Sequence, residues 1–397
     1  MEEAWERGWV STDKYVCKDC VNDEALVRLV VDSVEDMECT YCGRLADEPI
    51  AAPLDVLTEA IVDGLSTEYE DPIEQVSYVS REGGYQMPHQ DTYDLLQELE
   101  VVNDFDLIVD LANAIETQLW CQRDPYRPSP HDALRWGWSG FREHVMHKRR
   151  YTFLLADPAA QEQRDYGEIP PEDMLHALAR AIRAGDLVTV LPAGTELVRA
   201  RVHPPAQQPS TAAEIGSPPG RVAKTNRMTA AGISGFYGAF SEQCALAEVA
   251  GYAGNDDHVT LGTFVTARDM LVVDLVNLPA APSLFDESRR HLRPAIRFLR
   301  DFAADVANVA QPDDKEHLDY VPTQVVAEYL RMQFAHPGGP IRGVMWGSSR
   351  MPDEQAIVLF VDHDECVDEY DGWKESGAHW VALRAGSLRR VESLLLR

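Results

Sequence analysis

Four cysteines carry the most specific chemistry in this chain. Cys17 and Cys20 form one C-x2-C pair and Cys39 and Cys42 a second, with 18 residues between the pairs. A C-x2-C turn presents two thiolates from one tight loop, and tetrahedral zinc takes four such soft ligands at about 2.3 Å. Gly43 follows the second pair, where a knuckle needs backbone freedom. Two disulfides or a dithiol redox site are the competing readings, and a cytosolic chain keeps its thiols reduced. Four thiolates close the coordination shell, so the zinc expected at Cys17, Cys20, Cys39 and Cys42 is structural. Cys121, Cys244 and Cys366 are isolated and are expected to be buried thiols.

A second constellation lies in Asp132–Tyr151, the one markedly basic stretch of the first half, where four residues separate Arg142 from His147. This spacing resembles the Arg-x4-6-His motif of HEPN ribonucleases, in which Arg and His flank a scissile phosphate. The competing reading is a basic helix end that interacts with acidic neighbours.

The third constellation is spread over the second half. Leu197–His203 reads as a strand with Arg199 and Arg201 on one face at period two. Asn226–Glu248 contains Arg227, Tyr237 and Glu248, and Ile341–Arg350 ends in Ser348, Ser349 and Arg350. In this order the segments resemble the RES domain, named for its Arg, Glu and Ser. Arg199 matches the family's first Arg, Arg227 the Arg of its second motif and Tyr237 the strand tyrosine. Glu248 matches the helical glutamate, and Ser348 or Ser349 the late serine. Two departures are present: Asn226 precedes Arg227, and Met228 stands where Trp is usual. The resemblance covers residues 190–365. The cysteine pairs, acidic helices and basic stretch ahead of it are similar to the HEPN-grouped module that precedes some RES domains.

The resemblance implies an ADP-ribosyltransferase-like fold that degrades NAD+, as in the toxins of bacterial toxin–antitoxin pairs, which would suit toxic or antiphage use. Glu248 would stabilise the oxocarbenium-like state as the nicotinamide–ribose bond breaks. Arg199, Arg201 and Arg227 would hold the cofactor's phosphates. Tyr237 would stack on nicotinamide, and Ser348 or Ser349 would orient ribose or amide. NAD+ is thus the expected substrate, with water, phosphate or a macromolecule as acceptor. An antitoxin or trigger protein and a second copy of the chain are the expected partners. The rival readings are a ribonuclease using Arg142 and His147, and a non-enzymatic interaction protein.

Around these residues the pattern predicts an α+β chain with four regions: a zinc-binding module over 1–50, an acidic helical domain over 51–155, a linker and helix over 156–185, and a RES domain over 186–397. From Pro53 to Trp120 apolar residues recur at helical spacing, with Leu107, Leu111, Ile115 and Leu119 on one continuing face. Glu172–Ala184 is an amphipathic helix closed by Gly185, in a connection punctuated by Pro158, Pro170 and Pro171. Beyond it, strands are expected at 187–191, 196–202, 259–266, 270–275, 341–346, 356–361 and 379–383. Helices are expected at Glu242–Gly251, Ser288–Val309 and Val321–Met332. The proline-rich His203–Val222 is expected to lack regular structure and to serve as a lid or a surface insertion. Gly-x-Gly-x-x-Gly, Walker and Gly-x-Ser-x-Gly signatures are absent from the sequence.

The chain has 397 residues and a net charge of −30, from 66 acidic and 36 basic side chains. Residues 1–160 hold 33 acids and 13 bases (−20), and 161–397 hold 33 and 23 (−10). Phosphate-backbone binding needs a basic surface, so nucleic acid is an unlikely partner. The acidic start does not resemble a signal peptide and no apolar run could span a bilayer, so a cytoplasmic location without membrane contact is expected.

Overall fold

The computed structural model describes residues 7–155, 167–251, 254, 257–308, 316–351 and 353–392. Of the expected features, Pro158 and the helix end at Val309 lie outside them. Two compact units are present. Of the described residues, one contains those up to Ala133 together with Gly167 and Ala280–Pro294; the other contains those in 134–155, in Glu168–Pro279 and from Ala295 onward. The division falls inside the helix Pro130–His147, ahead of the compositional change near residue 185. Its cause is burial: Trp138, Phe141 and Val145 of that helix share a core with Met174, Leu178, Phe298 and Phe302.

In the first unit, Tyr15–Cys17 pairs antiparallel with Ala51–Pro53, bringing the two cysteine turns together. Helices follow at Glu24–Asp32, Leu54–Glu68, Thr92–Glu98 and Phe105–Ala114. Their apolar faces, including Leu26, Leu57, Ile61, Leu65, Leu107 and Leu111, form one core. Three begin with an aspartate whose carboxylate accepts from first-turn amides: Asp23, Asp91 and Asp104. Part of the acid density is therefore helix capping, favoured by the positive end of each helix dipole. The stretch 53–120 is not helical throughout. Leu119–Gln122 is a strand between Tyr69–Glu70 and His89–Asp91, so Leu119 does not continue the expected helical face. The helix stops because Ile115 turns extended, and Gln118 Nε2 donates to its carbonyl at 2.7 Å.

The second unit is built on a ten-stranded sheet. Its strands are β1 (Val188–Leu191), β2 (Glu196–His203), β3 (Phe236–Ala239), β4 (His258–Thr266), β5 (Met270–Asp274), β6 (Ile341–Gly347), β7 (Gln355–Leu359), β8 (Cys366–Asp368), β9 (Val381–Leu383) and β10 (Arg389–Glu392). The order is β8-β9-β4-β2-β3-β7-β6-β5-β1, with β10 also on β4. Only β5/β6 and β8/β9 pair in parallel. Helices α1 (Pro171–Ala184), α2 (Glu242–Ala250), α3 (Arg293–Ala307) and α4 (Val321–Met332) complete it. All seven expected strands and all three expected helices are present, Val321–Met332 with the expected bounds and the others with shifted ends. In α1, Met174, Leu175, Leu178 and Ile182 are buried, so this helix belongs to the core and is not a spacer.

One irregularity of the sheet creates the site. Strand β2 pairs with β4 at eight positions, but with β3 only at Ala239↔Val198. Beyond that position β2 and β3 part, and carbonyls in the gap need donors from elsewhere. The second half of the proline-rich stretch fills part of the opening. Ala212–Ile215 forms a short helical turn, Ala212, Ile215 and Ser217 are buried, and the Ala212 amide donates to Asp368 Oδ1 at 2.7 Å. This segment is a packed wall, neither lid nor loose insertion.

Candidate functional site

A cleft of about 500 Å³ opens where β2 and β3 part, and Arg199, Arg227, Tyr237 and Glu248 all line it. Arg199 bridges the gap: its Nε donates to Ile215 O and its Nη1 to Tyr237 O, both at 2.6 Å. The guanidinium sits 5.3 Å from the centre of the Phe236 ring. Burial pulls its pKa down to about 10, still high enough to keep the charge at neutral pH. Arg227 donates to the carbonyls of Val306 and Asn308 and stands over the Tyr320 ring.

Tyr237 organises the loop opposite. Its hydroxyl accepts from the Met228 amide at 3.0 Å and bonds Thr229 Oγ1 at 3.1 Å. Burial raises its pKa to about 12, so the phenol stays protonated. Helix α4 grips the same loop: Gln324 Nε2 donates to Thr225 Oγ1 at 2.8 Å and to Asn226 O at 2.7 Å, and Thr323 Oγ1 donates to Arg227 O.

Glu248 projects from α2, whose start is capped by Ser241 accepting from the Cys244 amide. Ser348, at the end of β6 and buried, donates its hydroxyl to Glu248 Oε1 at 2.7 Å. Ser348 Oγ in turn accepts from the amides of Arg350 and Met351, each at 3.3 Å. Ser348 thus orients the carboxylate and closes its own turn, while Ser349 is exposed. Neither serine lines the cleft among the described residues, and Arg201 does not line it either. The Arg201 side chain is exposed and donates to Glu214 O. Behind Glu248, burial pushes the Cys244 thiol up to about 11, leaving it an inert neutral group.

In the first unit Cys17, Cys20, Cys39 and Cys42 converge, with all four sulfurs within 4.8 Å of one another. The Sγ···Sγ distances are 3.7 Å for Cys17–Cys20, 3.6 Å for Cys17–Cys42 and 3.8 Å for Cys20–Cys39. These exceed the roughly 2.05 Å of a disulfide, and all four are free thiols. Burial pushes the Cys17 thiol up to about 11 and Cys20 higher still. At Cys39 burial acts the same way, but main-chain amides of Cys42, Cys17 and Tyr41 outweigh it and bring the thiol down to about 7. Four thiols gathered this closely suit a cation that would hold them as thiolates, and the cluster could hold one metal ion.

Residues 196–380 match the family described as RES domain, and residues 32–159 match HEPN/RES N-terminal domain 1. The chain is a RES-domain protein. The RES match takes in strands β2 to β8 and all the described cleft residues, and leaves out β1, β9 and β10. No curated protein matches the chain. Among solved structures, a chain of the M. tuberculosis MbcT–MbcA toxin–antitoxin complex is 14% identical, covering 55% of this chain and 94% of its own, at a TM-score of 0.29.

The Arg142/His147 pair sits on the helix Pro130–His147. At about 100° per residue, five positions turn His147 roughly 140° from Arg142, so the two do not share a face. Arg142 Nη1 is bound to Asp305 Oδ2 at 2.9 Å, and the same oxygen accepts from Trp138 Nε1 at 2.9 Å. His147 lies 3.9 Å from Glu143. The arginine holds a structural network, as the competing reading expected.

The cleft also contains Lys224, Asn226, Tyr320, Trp346 and Arg350, to which the motifs assigned no role. Trp346 meets Tyr237 edge to face at 6.5 Å. Arg350 is the one the sequence could have flagged, two residues after Ser348. Tyr320 and Gln324 have no local signal, since they reach a loop about a hundred residues earlier. Among the described residues no helix is long and apolar enough to cross a membrane.

Proposed function

We propose that the RES domain cleaves the nicotinamide–ribose bond of NAD+. The observation that carries this reading is the composition of the cleft: among the described residues that line it, one carboxylate, Glu248, stands among arginines and aromatic rings, in a volume suited to a small molecule. Scission of the C1′–N bond leaves its electron pair on nicotinamide, which departs neutral, and puts positive charge on the ribose. Glu248, oriented by Ser348, stabilises that charge. Tyr237 and Trp346 offer aromatic faces to the cationic nicotinamide ring. Arg199 and Arg227 line the cleft and make its potential positive, which favours an anionic ligand. Water or inorganic phosphate then bonds C1′ and loses a proton, giving ADP-ribose or its 1″-phosphate.

The four-cysteine cluster fits structural zinc. A tetrahedron with bonds of about 2.3 Å has edges of about 3.8 Å, close to the 3.6–3.8 Å sulfur separations. Four sulfurs leave no position for water, so the ion would hold the first unit together. A restraining antitoxin or trigger protein, self-association and a cytoplasmic toxic or defensive role belong to the same reading and rest on the RES match.

The experiment is to incubate purified protein with NAD+ and quantify nicotinamide. Wild type should release it and Glu248→Gln should be slower by at least about a hundredfold, as expected for loss of transition-state charge stabilisation. Equal rates for the two proteins would overturn the reading, and separation of ADP-ribose from its 1″-phosphate identifies the acceptor.

A further inference from the structure

The cleft is cationic in a strongly anionic chain. Among the described residues that line it, Arg199, Lys224, Arg227 and Arg350 stand with a single carboxylate, Glu248. The arginines are engaged with the protein. Arg199 serves the carbonyls of Ile215 and Tyr237, and Arg227 those of Val306 and Asn308. Arg350 packs over the C-terminal end of α2, where a Cβ at Gly251 would lie 2.7 Å from its Nη2.

Lys224 differs from all three. Its side chain is exposed, and among the described residues its ammonium has no hydrogen bond and no carboxylate partner. The backbone beneath it is nevertheless held. Asn226 Nδ2 donates to Lys224 O at 3.0 Å, and the Gly232 amide donates to Ala223 O at 3.0 Å. Gln324 secures Thr225 and Asn226 from α4. A cation with no counter-ion among the described residues is thus presented at the cleft on a fixed loop, in a chain with only six lysines.

We propose that Lys224 binds the pyrophosphate of the dinucleotide, while Arg199 and Arg227 chiefly hold the walls. This rests on the NAD+ reading for the ligand's identity. An ammonium is a compact point charge with three donors, matched to phosphate oxygens. The pyrophosphate is remote from the breaking bond, so its contact is made equally before and during scission. Losing it raises KM and leaves kcat nearly unchanged.

The test titrates ADP-ribose by calorimetry into the full chain as wild type, Lys224→Ala and Lys224→Arg, with adenosine as the phosphate-free probe. Lys224→Ala should weaken ADP-ribose binding about tenfold, Lys224→Arg should keep most of the affinity, and adenosine binding should not change. With NAD+, KM should rise about tenfold while kcat stays within about twofold. Equal ADP-ribose affinity in wild type and Lys224→Ala overturns the assignment. So does a matching loss for adenosine, which would mark a structural role, or a wild type that does not bind ADP-ribose. Lys224-dependent ADP-ribose binding by a wild type that releases no nicotinamide would support the assignment and refute the reaction.

Discussion

Replacing Ser348 by alanine tests how the cleft holds its carboxylate. Ser348 is 7% exposed and its hydroxyl donates to Glu248 Oε1 at 2.7 Å, so its loss removes a largely desolvated bond to a charged group. Such bonds contribute about 1.5–3 kcal/mol. If the carboxylate must be aligned when charge develops on the ribose, the deficit appears in the barrier. At about 1.4 kcal/mol per factor of ten, nicotinamide release should slow by about ten- to 150-fold. Fold integrity is checked separately: a cost of about 1 kcal/mol lowers the melting temperature by roughly 2–4 °C in a domain of this size, which leaves the protein folded at assay temperature. The control is Ser349→Ala, which removes an exposed hydroxyl outside the cleft and should stay within about twofold. Initial rates of nicotinamide release from saturating and limiting NAD+ decide the matter. A Ser348→Ala enzyme within about threefold of wild type, or a larger loss in Ser349→Ala, would refute the positioning argument.

Metal analysis should find about one zinc per chain and lose it in Cys20→Ser, with a lower melting transition of the first unit; full metal-free stability would refute the structural role. Arg142→Ala should leave nicotinamide release unchanged and cost under about 1 kcal/mol, since the pair it breaks is partly solvated. RNA cleavage that depends on His147 would contradict this. In the Lys224→Arg protein, ADP-ribose binding should be level up to about pH 9 and weaken as pH passes about 10, where buried Arg199 loses its charge. Over the range from about pH 10 to its unfolded value, this group releases its proton only in the folded state, so its contribution to stability rises with pH. Binding that collapses near neutral pH would place control in another group. Gln324→Ala should raise KM by about tenfold by releasing the 225–229 loop, with a loss of kcat alone as the contrary result.

Much of the fold was legible because its elements bury alternating or helical apolar faces. The strands of the second unit read correctly since pairs such as Val259/Leu261, Met270/Val272 and Ile357/Leu359 recur at strand spacing and are buried. The N-terminal helices read correctly up to Ile115, where a local side-chain cap ended a face that periodicity alone would have extended to Leu119. The small sheet at Tyr69–Glu70, His89–Asp91 and Leu119–Gln122 was hidden, because strands of two to four residues carry too few alternations to register.

Groups that depend on local spacing follow from the chain alone. Two C-x2-C turns gather four sulfurs because each turn already sets two of them, and the helix after β3 carries Glu248 with only a short capped connection between. Tertiary structure decided which polar groups are spoken for. Arg142 meets Asp305 across 163 positions, and Arg199 meets Ile215 and Tyr237 across a split in the sheet. Ser348 reaches Glu248 across 100 positions, whereas its neighbour Ser349 is exposed. A guanidinium or hydroxyl can take many partners of similar intrinsic strength, so its role depends on which buried carbonyl or carboxylate the fold leaves unsatisfied beside it.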